Sequence, residues 1–305
     1  LEKGNTMTAD RSRRDVLRSA LAMAAAAPLA ASMFAPSAQG QAGGELIKPA
    51  TQPAGPDPKL KGLKLGVASY SFRKMPLDQT IKGIRRVGLS YVSIKDFHLP
   101  MKSTKQERQA VAAAFAEAGI TPISCGNVKL TTDEAASRNA FEYVRDTGAK
   151  VMVCAPDPAA LPMLEKLVKE FDIRLAIHNH GPEDKVFPTP YEVQKAVKDL
   201  DPRIGFCVDV GHTARAGVDP AKTIVELKDR VYDIHFKDVS DVAGKSARVE
   251  CEVGRGKLDI AAMVRALLQI QFAGHIGFEY EKDATDPLPG LAESVGYVRG
   301  ILAAV

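Results

Sequence analysis

The sequence predicts an α/β fold, a (β/α)8 TIM barrel over residues 61–305, and three observations predict it. Eight short, Val- and Ile-rich, nearly continuously apolar segments recur, each followed by a helical pattern, as expected of a parallel sheet covered on both faces. The last four of them end on His178, Asp209, His235 and Glu279, at gaps of 31, 26 and 44 residues. Those are the gaps left by parallel strands joined by helices, since a βαβ unit takes about 30 residues or more. A doubly wound open sheet is the alternative, but its GxGxxG fingerprint after the first strand is absent.

The predicted strands are KLGVASY (64–70), YVSIKD (91–96), TPISCG (121–126), KVMVCA (150–155), RLAIH (174–178), IGFCVD (204–209), VYDIHFK (231–237) and HIGFE (275–279). Apolar residues at three- and four-residue spacing mark the clearest helices: QERQAVAAAFAEAG, SRNAFEYVRDTGA, LPMLEKLVKEF, YEVQKAVKDL and IAAMVRALLQI. Gly119 and Gly148 stand where helices should end, and Thr189-Pro190 and Asp219-Pro220 where they should begin.

Ahead of the barrel the chain reads differently. SRRDVLR at 12–18 precedes ALAMAAAAPLAASMFA, a run of signal-peptide length that is too short and Ala-rich to span a bilayer. The paired Arg13 and Arg14 resemble a twin-arginine export signal, so residues 1–42 are expected to be a signal peptide and the mature protein periplasmic. Residues 43–60 are proline-rich and read as a flexible tether.

Composition removes some partners. Of 41 basic and 37 acidic residues, 5 and 3 lie in positions 1–40, leaving 36 minus 34, or +2, for the remainder. That gives no basic bias toward nucleic acid, and no second apolar run suggests membrane insertion after the signal is removed. Four cysteines show no CxxC spacing and read as small buried residues, although an oxidising periplasm would allow a Cys125–Cys154 bridge.

In a barrel the active site lies over the C-terminal ends of the strands, so His178, Asp209, His235 and Glu279 should converge on one half of the rim. Singly, each is as well explained by a polar residue closing a strand. Together, two imidazoles and two carboxylates suit one Mn2+, Zn2+, Co2+ or Fe2+ ion, whereas Mg2+ usually prefers oxygen alone.

At these residues the chain resembles the xylose isomerase-like family of sugar isomerases and epimerases. The most specific pieces are AIHNHG (176–181), VDVGH (208–212), HFKD (235–238) and GFE (277–279), within a likeness running from VASYSF at 67–72 to FEYEKD at 278–283. The resemblance implies metal ligands at the ends of strands five to eight, typically Glu, Asp, His and Glu, with Mn2+ the favoured ion. Asp209, His235 and Glu279 match; position 178 is His where the sugar epimerases place Glu. That departure leaves the metal function intact but interrupts a proton exchange between two metal-bound glutamates.

The expected chemistry is proton abstraction beside a carbonyl, through an enediolate, on a small carbohydrate. Glu279 is the candidate base, Lys237 would neutralise developing oxyanion charge, and His180 and Glu183 are candidates for the second acid/base. His212 matches a substrate-contacting position of the family, and Lys95 and His98 could close the far side of the pocket. His180 and His212 are equally well read as orienting the ligands. The loop from Val239 to Lys257 is long enough to cover the site, and GRG at 254–256 reads as a turn back to the next helix.

The expected function is a metal-dependent isomerase or epimerase on a free, neutral sugar, since no phosphate cradle follows strand eight. The alternative is a lyase on the same barrel, eliminating the glycosidic group of a 3-keto-glycoside. A non-catalytic sugar-binding protein is a further alternative. A nuclease resembling AP endonucleases fits least, because it needs a trinuclear zinc site and the chain has only six histidines. A homo-oligomer stays open.

Overall fold

A computed structural model describes residues 57–242 and 250–305. The expected signal peptide at 1–42, most of the tether and the middle of the 239–257 loop lie outside the described residues. The end of the tether is already part of the fold, because Pro58–Leu60 form a 3-10 turn that buries Leu60.

Eight parallel strands close a barrel: β1 (Lys64–Ala68), β2 (Tyr91–Ile94), β3 (Thr121–Leu130), β4 (Val151–Pro156), β5 (Arg174–His178), β6 (Ile204–Asp209), β7 (Val231–Phe236) and, eighth, β10 (His275–Phe278). Neighbours in sequence are neighbours in space, and β10 closes the ring on β1, with Gly66 opposite Gly277. Between β7 and β10 a two-residue ribbon, β8 (Asp238–Val239) and β9 (Glu250–Cys251), pairs antiparallel; nothing in its hydropathy announces it. One strand outruns its expected end: β3 does not stop at Gly126 but shifts register beyond Cys125 and runs on to Leu130.

The helices are α1 (Leu77–Arg86), α2 (Lys105–Glu117), α3 (Glu134–Asp146), α4 (Leu161–Phe171), α5 (Pro190–Val197), α6 (Val210–Arg215), α7 (Pro220–Glu226), α8 (Ile260–Gln269) and α9 (Leu288–Ala304). Their ends follow local chemistry. Thr104 and Glu107 form a capping box at the start of α2, and Asp133, Thr189, Asp219 and Asp259 accept backbone N–H bonds ahead of α3, α5, α7 and α8. Gly119 and Gly148 follow α2 and α3 at φ +70° and +77°, the left-handed geometry that favours glycine. Among the described residues no helix is long and apolar enough to cross a membrane.

Strand alternation places the site. Successive side chains on a strand point to opposite faces. The outward neighbours of the four strand-end polar residues are Ile177, Val208, Phe236 and Phe278, each at most 1% exposed in the core between sheet and helices. Phe236 and Phe278 pack edge to face with centroids 5.8 Å apart, an arrangement worth about 0.5–1.5 kcal/mol beyond burial. With the apolar residue held outward, His178, Asp209, His235 and Glu279 must point into the barrel. Val151, Val153, Ala176 and Cys207 form a small separate apolar cluster.

All four cysteines are free, and three are buried. The Cys125–Cys154 bridge is therefore absent: Cys125 Sγ instead lies 3.4 Å from Thr147 Oγ1. Burial pushes its thiol pKa up to about 12, so it behaves as a small packed residue.

Candidate functional site

The four strand-end residues meet. His178 Nε2 lies 2.9 Å from His235 Nδ1 and 3.3 Å from Asp209 Oδ2, and His235 Nδ1 lies 3.0 Å from Glu279 Oε2. One potential ligand atom from each falls within 4.8 Å of all the others. Register explains the convergence: Asp209 stands opposite His235, His235 opposite Gly277, and Glu279 N–H donates to Phe236 O at 3.0 Å.

The donor set fits a divalent ion. His178 Nε2, His235 Nδ1, Asp209 Oδ2 and Glu279 Oε2 face one another, while the opposite ring nitrogens, His178 Nδ1 and His235 Nε2, are buried without a hydrogen-bond partner. Buried polar atoms are otherwise nearly always paired. Three of the six distances among these two nitrogens and two oxygens, 2.9, 3.0 and 3.3 Å, lie near the edge of about 3.3 Å of a tetrahedron with 2.0–2.1 Å bonds. A second grouping replaces the carboxylates with Cys207, but burial holds that thiol pKa well above its usual value, which disfavours the thiolate a metal needs.

Lys237 occupies the centre of this arrangement. Its Nζ lies 2.9 Å from Glu279 Oε2, 3.0 Å from Asp209 Oδ2 and 2.6 Å from Glu281 Oε1. Gly211 makes room for its stem, since a Cβ there would meet Lys237 Cγ at 2.8 Å. Burial alone would raise the carboxyl pKa values of Asp209 and Glu279, but His212, Lys237 and His178 outweigh it at Asp209, and His235 and Lys237 at Glu279. Both are held well below the usual carboxylate range. Burial, aided by His235, drives His178 well below an ordinary imidazole, which leaves it neutral and able to bind a cation.

Asp209 has two jobs, and the DVGH motif encodes both. Its Oδ1 accepts the His212 N–H at 2.8 Å, capping α6, while Oδ2 faces the site. The short helix then carries the His212 ring back to 4.0 Å from Asp209 Oδ2. Arg215 Nη1 is 3.1 Å from His212 Nδ1, and Arg215 also pairs with Glu183. Glu183 pairs with Arg215, and its side chain is half exposed. His180 does line the site, its ring 4.4 Å from that of His178. Both its nitrogens are engaged, with Asn127 at 2.9 Å and Asp184 at 3.2 Å.

The far side of the pocket differs from expectation. His98 is buried, with Nδ1 3.0 Å from Ser69 Oγ and Nε2 2.9 Å from Thr80 Oγ1. It ties β1 to α1 and the loop after β2, and has no ring nitrogen left for a substrate. Lys95 stays at the mouth, its ammonium 5.3 Å from the Tyr70 ring centroid.

Several residues of the site escaped the sequence reading. Asn179 accepts the Asp209 N–H at 3.0 Å and donates to Thr213 at 3.1 Å, locking β5 to β6. Beneath the ligands, Ser124 donates to Asp233 at 2.6 Å, and His275 Nδ1 lies 3.3 Å from both Asp233 oxygens. Glycines leave the space for that ring: a Cβ on Gly66 would meet His275 Nε2 at 2.4 Å, and one on Gly277 would meet Cε1 at 2.6 Å. Asp238, last residue of HFKD, accepts the N–H groups of Val239, Gly254, Gly256 and Leu258 at 2.8–3.2 Å. It folds the long loop back through GRG toward α8 and fixes β9. A period-two signal would have found the inward rows Asp233-x-His235-x-Lys237 and His275-x-Gly277-x-Glu279-x-Glu281.

Comparison with known proteins agrees with this architecture. The rhizopine catabolism protein MocC of Rhizobium meliloti is 25% identical over 147 residues, which are 44% of this chain and 45% of that protein. An inosose dehydratase of Geobacillus kaustophilus is 24% identical over 204 residues, 53% of this chain and 64% of the relative. The chain thus spans about half the length of the curated relatives it matches. In fold it resembles the crystal structure of an E. coli 3-keto-D-glucoside 4-epimerase, with a TM-score of 0.64 at 16% identity over 78% of this chain and 99% of that one. The profile described as xylose isomerase-like TIM barrel matches residues 81–301, and with a closed eight-stranded barrel across that span the chain belongs to that family.

Proposed function

We propose that the protein is a divalent-metal-dependent enzyme that removes the proton beside the carbonyl of a neutral keto-sugar, forming an enediolate, in an isomerase or epimerase reaction. The observation that carries this reading is the buried His178–Asp209–His235–Glu279 set, whose potential ligand atoms all lie within 4.8 Å of one another. When bound there, the ion would polarise the substrate carbonyl; two nitrogens and two oxygens suit Mn2+, Zn2+, Co2+ or Fe2+, and likeness to the family favours Mn2+.

The chain's own residues supply the rest. Glu279 is ionised and pinned by Lys237, so it can accept the carbon-bound proton. Lys237 places a positive charge where negative charge develops on oxygen. Asp209, Glu279 and Glu281 all contact the single Lys237 ammonium, an acidic surround that disfavours a phosphorylated sugar.

A second reading, elimination from a keto-sugar, is favoured by a specific observation. Position 178 is an imidazole, so the metal set lacks the second glutamate that a symmetric proton exchange between two glutamates requires. Elimination needs one base and one acid instead. The relative named inosose dehydratase and the structural neighbour named 3-keto-D-glucoside 4-epimerase keep both outcomes in view.

The test is Mn2+-loaded protein in deuterated water with free ketoses and 3-keto-glycosides. Solvent deuterium entering an intact sugar supports isomerisation; release of the substituent supports elimination. Glu279→Gln should lower either by about 10^2–10^4-fold. Wild-type protein that does neither would overturn the reading.

A further inference from the structure

We infer that Tyr70 and Phe97 form a second binding subsite on the rim, a stacking platform for a ring carried by the reacting sugar. This rests on the keto-sugar reading and names the substrate class within it: a glycoside whose aglycone contains a ring, rather than a free monosaccharide.

Phe97 is the most exposed large apolar side chain among the described residues, at 56%. A single exposed phenylalanine would need no explanation. This one is packed and held. It lies in the loop after β2, and its ring meets that of Tyr70, in the 3-10 turn (Ser69–Phe72) after β1, with centroids 5.8 Å apart and planes tilted by 56°. Both segments leave the C-terminal ends of their strands, the end of a barrel where substrates bind. The cations of Arg73 and Lys95 stand over Tyr70, 4.6 and 5.3 Å from its centroid, and Phe97 is the ring left open to solvent.

The platform is fastened beside the base. In the closed barrel β1 lies between β2 and β10. Ser71 Oγ donates to Phe278 O at 3.3 Å and accepts the Tyr280 N–H at 2.9 Å, so the turn carrying Tyr70 is tied to the chain on both sides of Glu279. Arg73 adds a second tie, donating from Nη1 to Tyr70 O at 3.2 Å and from Nη2 to Glu281 O at 3.0 Å. The Phe97 loop is bound to the same turn. Ser69 Oγ accepts the Lys95 N–H at 2.9 Å and lies 3.0 Å from His98 Nδ1, while His98 Nε2 reaches Thr80. The buried His98 thus positions the open ring of its neighbour.

Rings already fixed by buried hydrogen bonds lose little freedom when another ring stacks on them. A sugar held at the ends of β5, β6, β7 and β10 fills one half of the rim. A substituent directed past Glu279 toward β1 meets Tyr70 and Phe97, whereas a free monosaccharide leaves the platform wet. The matching ligand presents a flat apolar ring face, from an aromatic group or from a second sugar.

Calorimetric titration of the Mn2+-loaded protein reads the subsite without turnover. The ligands are methyl β-glucoside, phenyl β-glucoside and methyl β-cellobioside, which carry no keto group and do not react. At least one of the two ring-bearing glucosides should bind wild type about 3- to 10-fold more tightly than methyl β-glucoside. A gap for the phenyl compound alone assigns an aromatic aglycone, and one for the cellobioside alone a second sugar. Phe97→Ala should close the gap and Phe97→Trp, which keeps a ring, should retain it. Equal binding of all three ligands by wild type, or a gap that survives in Phe97→Ala, overturns the platform. The corresponding 3-keto-glucosides separate this from the underlying reading. Turnover of those compounds without any binding gap sinks the platform alone. A gap that depends on Phe97, with no deuterium exchange and no elimination, sinks the proton-abstraction reading and leaves the ring subsite standing.

Discussion

The Lys237 ammonium sits 2.9 Å from the Glu279 carboxylate, both buried, and the same nitrogen holds Asp209 at 3.0 Å. One internal cation thus balances the carboxylates that would receive a metal ion. Removing one partner of a buried pair costs about 3–5 kcal/mol, because the other charge is stranded. Lys237→Met should therefore destabilise the metal-free protein by about that amount, measured by denaturant unfolding. Saturating Mn2+ should restore part of the loss by supplying the missing charge. A variant as stable as wild type without metal would show that Lys237 does not carry this role.

Acid should weaken the metal-free fold in a defined direction. Asp209 and Glu279 have folded pKa values depressed well below their ordinary 3.8 and 4.5. Such groups add stability that is present above the unfolded values and is lost as pH falls through the folded ones. The unfolding midpoint should drop below about pH 4, and Glu279→Gln should flatten that limb. The check is a set of denaturation curves from pH 2 to 6, with the expected slopes diverging only at the acid end.

Asp238 anchors four backbone N–H groups and touches none of the four ligands' side chains. Asp238→Ala should release β9 and the loop beside the site, lowering turnover by about 10-fold or more while Mn2+ affinity changes less than about threefold. Metal titration beside steady-state kinetics separates the two. Equal losses in both would place Asp238 in the metal site instead.

What could be read from the sequence was what repeats or ends abruptly. Eight apolar segments gave the barrel, and an apolar strand stopping at His178 or Glu279 is a signal because burial forbids an unpartnered polar group. His98 resembles those residues in kind, yet Ser69 and Thr80, distant in sequence, engage both its nitrogens. Asp233 and His275 lay hidden inside apolar strands, where their pairing depends on a contact 42 residues apart. The β8–β9 ribbon was illegible for a different reason: it is folded by an Asp238-centred turn that hydropathy does not record.

The central claim is that one cation is held by two imidazoles and two carboxylates at the ends of β5, β6, β7 and β10. Elemental analysis of protein reconstituted with Mn2+, combined with anomalous scattering from its crystals, tests it most directly. The account predicts one ion per chain, with a single peak within bonding distance of His178, Asp209, His235 and Glu279. No retained ion, or a peak elsewhere in the barrel, would contradict it.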